Sequence, residues 1–223
     1  MGKDKLQLFK NWVENIVDDR IESNNTKSDS LKEADNIIYN SIVKILTTNI
    51  ELHPLIPSQI VNNGQGIGTG FFIDKKFNIL TAAHVVKDAI KININIPEHG
   101  KIIFPAKIVC VYNDFDLAII RLDTSEIDNI DEIKDKITPL KLGNSEKIDL
   151  GDEVYALGYP DNSEYPMRTS GTISGRRDDY LQTDTPINGG NSGGPLFYKD
   201  RVIGVNTQGL SKMTKYYRVK MYL

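Results

Sequence analysis

The stretch from Asn188 to Pro195 reads Asn-Gly-Gly-Asn-Ser-Gly-Gly-Pro and carries one hydroxyl, that of Ser192, among four glycines. Glycine adopts positive φ without steric cost and lets other backbone segments approach closely. Such a loop can direct several N–H groups into one small volume, which stabilises the oxyanion formed when a serine attacks a carbonyl group. Taken alone, the octapeptide also fits a glycine-rich turn between strands. Ser192 is therefore a candidate nucleophile whose assignment depends on the rest of the chain.

A histidine and two aspartates lie upstream of this loop. His84 stands in Leu-Thr-Ala-Ala-His-Val-Val, and Asp114 and Asp116 stand in Asp-Phe-Asp-Leu-Ala-Ile-Ile. A serine hydroxyl is a weak nucleophile that needs a base, and an imidazole can act first as base and then as acid. An aspartate can hold the imidazole tautomer and stabilise the imidazolium. These residue types fit a catalytic triad in the chain order His, Asp, Ser.

The blocks Ala-Ala-His, Asp-Leu-Ala and Gly-Asn-Ser-Gly-Gly-Pro resemble the three catalytic blocks of trypsin-like serine proteases, which share this chain order. Residues 181–196 are similar to the HtrA/Deg branch at nearly every position, and the resemblance covers roughly residues 41–209. It implies a serine endopeptidase that cleaves polypeptides through an acyl-enzyme intermediate, without a cofactor. The triad implied is His84, Asp116 and Ser192, since the family aspartate directly precedes Leu-Ala.

The resemblance also implies how a substrate is held. The oxyanion hole would be formed by the backbone N–H groups of Gly190 and Ser192. The residues implied for substrate binding are Pro186, Thr207, Gln208 and Gly209. Pro186 lies six residues before the serine, where trypsins specific for lysine or arginine carry an aspartate, so we expect an aliphatic preference. Asn191 replaces the aspartate that precedes the serine in secreted relatives, and we expect its amide to brace the loop by hydrogen bonds.

From residue 42 onward the chain consists of short β-rich runs separated by turn signals, which predicts a mainly β sandwich or barrel. The resemblance narrows this to two six-stranded antiparallel β-barrels with the active site between them. We expect an N-terminal helical extension and linker at residues 1–33 and a trypsin-like protease domain at 34–223. The first barrel would span about 41–130 and the second about 138–223. We expect either that no PDZ domain follows or that the chain is a fragment.

The N-terminal segment predicts two helices. Residues 5–22 carry apolar side chains at helical spacing, and Ser30 with Glu33 fits a capping box that starts a second helix. An amphipathic helix must bury its apolar face somewhere. It can pack on the protease body, or it can contact another subunit of a homo-oligomer or a regulatory partner, and the sequence leaves both open.

The composition limits which partners and which cellular compartment are expected. The net charge of −3 gives no reason to expect a nucleic-acid or membrane-surface partner, and no run of eighteen apolar residues is present. The N-terminus does not fit a signal peptide. Cys110 is the single cysteine, which favours a reducing compartment and predicts a cytoplasmic protein. His53 and His99 do not stand at zinc-ligand spacing with Cys110, so no metal site is expected.

Two other functions remain open at this stage. A catalytically silent peptide-binding module could use the same barrels, because a fold does not fix a function. A structural or adaptor protein could instead work through the N-terminal helical segment. The catalytic interpretation is preferred because three separate blocks agree with it.

Overall fold

The computed structural model describes residues 38–53, 55–127, 130–177, 180–207 and 217–220. Both predicted N-terminal helices fall outside these residues, except that residues 38–41 are helical. The protein is mainly β, as predicted, and its strands form two closed barrels. Among the described residues, no helix is long and apolar enough to cross a membrane.

The first barrel contains strands β1 to β6, in the hydrogen-bonded order β1-β2-β3-β6-β5-β4, and closes by antiparallel pairing of β4 with β1. Its strands are β1 (Ile42–His53), β2 (Ile56–Phe72), β3 (Asn78–Ala82), β4 (Lys91–Asn95), β5 (Ile103–Tyr112) and β6 (Leu117–Leu122). A short helix, α1 (Ala83–Val86), follows β3 directly.

The second barrel contains strands β7 to β12, in the order β10-β11-β12-β9-β8-β7, and closes where β7 pairs with β10. Its strands are β7 (Glu153–Gly158), β8 (Met167–Arg177), β9 (Tyr180–Thr183), β10 (Pro195–Tyr198), β11 (Arg201–Asn206) and β12 (Tyr217–Lys220). All strand pairs in both barrels are antiparallel.

A second helix, α2 (Ile130–Lys136), lies in the connection between the barrels, where the sequence analysis predicted no helix. Ile133 and Ile137 share one face at a spacing of four residues and are buried in the core of the first barrel. The side chain of Lys75 donates hydrogen bonds to the carbonyls of Lys134 (3.0 Å) and Ile137 at the C-terminal end of α2. These contacts supply donors to carbonyl groups that have no N–H partner within the helix.

Strands β3 and β6 are buried on both faces, which explains their continuous apolar sequences. Side chains alternate between the faces of a strand. Ile79 and Ile120 therefore point into the core of the first barrel, while the adjacent Leu80 and Ile119 join a separate apolar cluster. That cluster also contains residues of the second barrel, namely Leu157, Tyr159, Phe197, Val202 and Val205. It forms the apolar layer through which the two barrels pack together.

Glycines in β2 provide a test of this packing. A Cβ added at Gly70 would lie 2.6 Å from Ile79 Cγ2 and 2.9 Å from Ile45 Cδ1, whereas one added at Gly64 meets nothing within 4 Å. We expect Gly70→Ala to lower the free energy of unfolding by about 1–3 kcal/mol through overpacking. Gly64→Ala, in the same strand, should stay within about 0.5 kcal/mol of the parent. Urea unfolding measures both, and equal effects would contradict this packing of the core.

Candidate active site

His84 lies in α1, immediately after β3, and Asp116 precedes β6, which is the neighbouring strand. The backbone N–H of Ala83 donates to the carbonyl of Asp116 at 3.0 Å, and the N–H of His84 donates to Asp116 Oδ1 at 2.8 Å. The side chains meet at 2.7 Å between His84 Nδ1 and Asp116 Oδ2. An ionised carboxylate can only accept, so Nδ1 carries the proton and Nε2 is left as the basic nitrogen.

Only one of the two candidate aspartates contacts the histidine. Asp114 lies in a 3₁₀ turn, Asn113–Phe115, and is exposed. Asp116 follows that turn with φ 51° and ψ 41°, in the left-handed region, which reverses the chain toward His84. The two aspartates therefore do not lie on one strand, because the segment between them is a 3₁₀ turn.

The environment of Asp116 keeps its carboxylate charged. Burial alone would raise the pKa of Asp116, but hydrogen bonds from the His84 ring, the Thr207 hydroxyl and the His84 N–H outweigh burial and hold the pKa below its ordinary value. Thr207 Oγ1 donates to Asp116 Oδ2, the oxygen that also faces His84 Nδ1. A charged carboxylate in this place orients the imidazole and stabilises its protonated form.

The residues predicted to bind substrate are only partly placed. Thr207 is 8% exposed, and its hydroxyl is directed at Asp116. Pro186 is exposed, between the buried residues Thr185 and Ile187. Gln208 and Gly209 lie outside the described residues. The pocket wall formed by these four residues therefore stays a prediction.

The backbone of the serine loop follows a defined hydrogen-bond pattern. The N–H groups of Asn191, Gly193 and Gly194 donate to the carbonyls of Asn188 (3.1 Å), Asn206 (2.7 Å) and Asn191 (3.0 Å), respectively. The N–H groups of Gly190 and Ser192 donate to no acceptor within the described ranges. The N–H groups of Asn188 and Gly189 likewise have no acceptor among the described residues. The two donors predicted for the oxyanion hole are therefore among the loop N–H groups that remain available to a ligand oxygen.

Two glycines of this loop cannot be replaced without strain. Gly190 has φ 98°, and a Cβ there would collide with the carbonyl oxygen of Tyr159. Gly193 has φ 86°, and a Cβ there would collide with the carbonyl oxygen of Thr69 and approach the nitrogen of Ala82 to 2.9 Å. Both positions need the conformational freedom of glycine. The close approach at Gly193 brings the serine loop against the end of β3, next to the histidine.

Thr69 in β2 is a residue that the sequence analysis missed. Its N–H donates to the carbonyl of Ser192 at 2.8 Å, and its hydroxyl donates to the carbonyl of Gly190 at 2.6 Å. The hydroxyl also accepts from the N–H of Tyr159 at 3.1 Å. Thr69 therefore attaches the serine loop to the first barrel. The sequence signal was Gly-Thr-Gly at residues 68–70, which allows other backbone segments to come close.

Two expected contacts of the site are not formed. His84 Nε2 is shielded from solvent and has no hydrogen-bond partner in the described part of the chain, so the bond between serine and histidine is not seen. Asn191 is 2% exposed, and its Oδ1 likewise accepts no hydrogen bond from any described residue. The loop is held by backbone hydrogen bonds and by Thr69, and of the bracing expected from the Asn191 amide, the contact to its oxygen is not formed.

Comparison with known proteins agrees with the geometry. The family model described as trypsin-like peptidase domain matches residues 68–205, a range that includes His84, Asp116 and Ser192. Protease Do-like 1, chloroplastic, of Arabidopsis thaliana is 35% identical over 156 residues, which cover 64% of this chain and 33% of that protein. The probable periplasmic serine endoprotease DegP-like of Rickettsia prowazekii is 33% identical over 199 residues, which cover 83% of this chain and 36% of that protein.

A third relative, putative protease Do-like 3, mitochondrial, of Arabidopsis thaliana, is 32% identical over 201 residues, which cover 85% of this chain and 34% of that protein. The chain thus spans about a third of the length of these curated relatives. Among solved structures, the HtrA-type protease AlgW with tripeptide superposes with a TM-score of 0.66 at 24% identity, covering 84% of this chain and 59% of that chain. This likeness shows a shared fold.

The charge on Asp116 predicts an acid-dependent stability difference. A carboxylate whose pKa is lower in the folded state stabilises the fold above the unfolded pKa, about 3.9, and loses this effect as the pH falls through the folded pKa. Wild type should therefore have a larger free energy of unfolding than Asp116→Asn at about pH 6, and the difference between the two proteins should shrink toward about pH 3. Urea titrations at several pH values measure the gap. Asp114→Asn, at an exposed position, is the control variant, and a constant gap for Asp116→Asn would contradict the assignment.

Proposed function

Since the chain belongs to the trypsin-like peptidase domain family, within its HtrA/Deg branch, we propose that it is a serine endopeptidase that cleaves polypeptides through an acyl-enzyme at Ser192. One observation carries the proposal. The 2.7 Å contact between Asp116 Oδ2 and His84 Nδ1 directs the basic Nε2 away from the carboxylate. An imidazole held in this way is suited to accept the proton of a nearby serine.

In the proposed first step, Ser192 Oγ attacks the carbonyl carbon of the scissile peptide while its proton passes to His84 Nε2. The carbonyl π electrons move to oxygen, and the resulting oxyanion receives hydrogen bonds from the N–H groups of Gly190 and Ser192. Asp116, with a lowered pKa, stays ionised and stabilises the imidazolium. Neither N–H has another acceptor among the described residues, so both can serve without breaking a hydrogen bond.

The tetrahedral intermediate then collapses. The bond from carbon to nitrogen breaks, and His84 returns its proton to the leaving amine. Water attacks the resulting ester, again with His84 as base, and releases the acid product together with free Ser192. Deacylation is the reverse of acylation with water in place of the leaving amine, so the same groups serve both steps.

A catalytically silent peptide-binding module remains the second candidate, and one observation favours it: the missing hydrogen bond at His84 Nε2. Catalytic hydrogen bonds are often long without substrate and shorten in the reacting complex. A fluorophosphonate probe separates the candidates, because it reacts only with an activated serine. Labelling of wild type but not Ser192→Ala supports the peptidase, and a folded wild type that never labels supports the binding module.

The triad should behave as one unit. Ser192→Ala and His84→Ala should each abolish nearly all peptide hydrolysis, and the double variant should lose little more, because such residues act non-additively. Asp116→Asn should lower kcat about 10⁴-fold by selecting the wrong imidazole tautomer. Asp114→Asn is the matched control and should retain activity. Steady-state kinetics decide, and additive losses or a damaging Asp114→Asn would contradict these catalytic roles.

The preferred residue before the scissile bond should be aliphatic. Pro186 provides no charge, and the nearby Asp184 is engaged elsewhere, since it accepts a hydrogen bond from the N–H of Thr172 at 2.6 Å. Peptides with valine, leucine or isoleucine at this position should therefore show higher kcat/KM than peptides with lysine or arginine. A library of peptides varied at that position measures this. A clear basic preference would show that a carboxylate reaches the pocket.

Partner and compartment remain predictions. We propose that the N-terminal segment, residues 1–33, contacts a second subunit or a regulatory partner and that the protein is cytoplasmic. Support comes from the amphipathic pattern of residues 5–22 and from the single cysteine. The matched relatives are named periplasmic, chloroplastic or mitochondrial. Cell fractionation of the tagged full-length protein tests the compartment.

A further inference from the structure

Strand β1 contains a buried lysine among apolar neighbours. Lys44, within Ile-Val-Lys-Ile-Leu, is 9% exposed. Its Nζ donates hydrogen bonds to the backbone carbonyls of Asn162 (3.1 Å) and Ser163 (2.9 Å). These carbonyls lie just after β7, so the ammonium of a first-barrel residue binds a turn of the second barrel. A buried ammonium is tolerated when its donors are paired, and these two carbonyls pair two of the three donors of Lys44.

The turn that Lys44 binds has an unusual backbone. Asp161 has φ 51° and ψ 35°, and Asn162 has φ 64°. Residues other than glycine seldom adopt this left-handed region, and they remain there only when the surroundings hold them. The hydrogen bonds from a charged donor to two successive carbonyls supply such support. The ring of Tyr159, whose centroid is 5.6 Å from Lys44 Nζ, adds a cation–π contact.

The same turn fixes the direction of one peptide in the serine loop. The N–H of Asp161 donates to the carbonyl of Gly189 at 2.7 Å. A trans peptide is planar, with its C=O and N–H pointing in opposite directions. Holding the Gly189 carbonyl therefore also fixes the direction of the Gly190 N–H. That N–H is one of the two proposed oxyanion donors, and no described residue accepts from it.

We propose that Lys44 is a positioning residue for the oxyanion hole. It holds the turn at residues 160–163, so that Asp161 keeps the Gly189–Gly190 peptide in the orientation that leaves the Gly190 N–H free for substrate. The proposal rests on the proposed peptidase function of Ser192. It adds a side chain of the first barrel to the parts that set the oxyanion hole, through contacts that do not touch the substrate.

Loss of the ammonium should act on the reaction step more than on substrate binding. Without it the turn can relax, and the Gly189–Gly190 peptide can rotate in part of the population. An oxyanion donor binds charge that develops in the transition state, so its loss lowers kcat and leaves KM nearly unchanged. Complete removal of one such donor costs about 10²–10³-fold in kcat. Partial misorientation should cost less.

The experiment compares Lys44→Met, Lys44→Arg and Lys75→Met in the full chain. Lys44→Met should lower kcat for a peptide substrate by about 10- to 100-fold, with KM changed by less than about threefold. Affinity for a peptide aldehyde, whose hemiacetal oxygen occupies the oxyanion hole, should fall in parallel. Lys44→Arg keeps a cationic donor and should retain most of the activity. Lys75→Met is the matched control, because Lys75 also donates to two backbone carbonyls, those of Lys134 and Ile137.

Lys75→Met should lower stability without changing kcat or aldehyde affinity. A folded Lys44→Met variant with the kcat and aldehyde affinity of wild type would overturn the proposal, as would a raised KM with unchanged kcat. If Lys44→Met does not fold, Lys44→Gln, which leaves a neutral polar group beside the same carbonyls, carries the same expectations.

A measurement on the resting protein separates this proposal from the peptidase function. The amide NMR signal of Gly190 should move in the Lys44 variant and stay in place in Lys75→Met. An inactive wild type would refute the peptidase function, while the Gly190 signal would still decide the positioning role. A Gly190 signal that does not respond to the loss of Lys44 would overturn that role.

Discussion

The site depends on the fixed packing of one barrel against the other, because its groups come from both. His84 and Asp116 belong to the first barrel, and Ser192 precedes β10 of the second. The apolar layer between the barrels contains Leu80 and Ile119 of the first barrel and Phe197 of the second, and all three side chains are fully buried. Such a layer is packed at the density of a protein core and resists sliding. The distance between base and nucleophile is therefore set by strands that carry no catalytic group.

Hydrogen bonds across this layer add direction to the packing. Thr69 binds the carbonyls of both Gly190 and Ser192, and Tyr159 donates from its hydroxyl to the carbonyl of Ile42 at 3.3 Å. Apolar contacts are non-directional, so they hold the barrels together without determining where a peptide N–H points. The polar contacts do that, since a hydrogen bond depends on angle as well as distance. They hold the serine loop in an arrangement that leaves the N–H groups of Gly190 and Ser192 unpaired among the described residues.

Much of the fold and part of the candidate site could be predicted from the sequence. The mainly β fold followed from the β-rich runs, and the two barrels from the resemblance. The choice of Asp116 over Asp114 came from the block Asp-Leu-Ala, and the structure brings Asp116 to His84 as that choice requires. Glycine at position 190 was predicted to be required by the backbone, and its φ of 98° agrees with that requirement, while its role as an oxyanion donor stays a prediction. These successes share one cause, which is that each signal is local in the sequence.

The contacts that sequence reasoning missed are all non-local. Thr69 lies 121 residues from Gly190, and Lys44 lies 118 residues from Asn162. A threonine between glycines and a lysine in an apolar strand were visible, but their partners depend on how two barrels pack. Thr207 was predicted to border the substrate pocket, but the hydrogen bond from its hydroxyl to Asp116 was not predicted, because a backbone-level resemblance does not specify side-chain direction. The unpaired state of the Asn191 oxygen among the described residues was missed for the same reason, since the contacts of its side chain depend on how the loop packs.

The central claim is that the two barrels combine His84, Asp116 and Ser192 into one acylating site. Trapping the acyl-enzyme tests it most directly: the full-length protein is mixed with an activated peptide ester, quenched in acid, and the modified residue is located by mass spectrometry. The account predicts one acyl group per chain on Ser192, no modification of Ser192→Ala, and strongly slowed acylation of His84→Ala. A folded wild-type protein that remains unmodified, or that carries the acyl group on another residue, would contradict it.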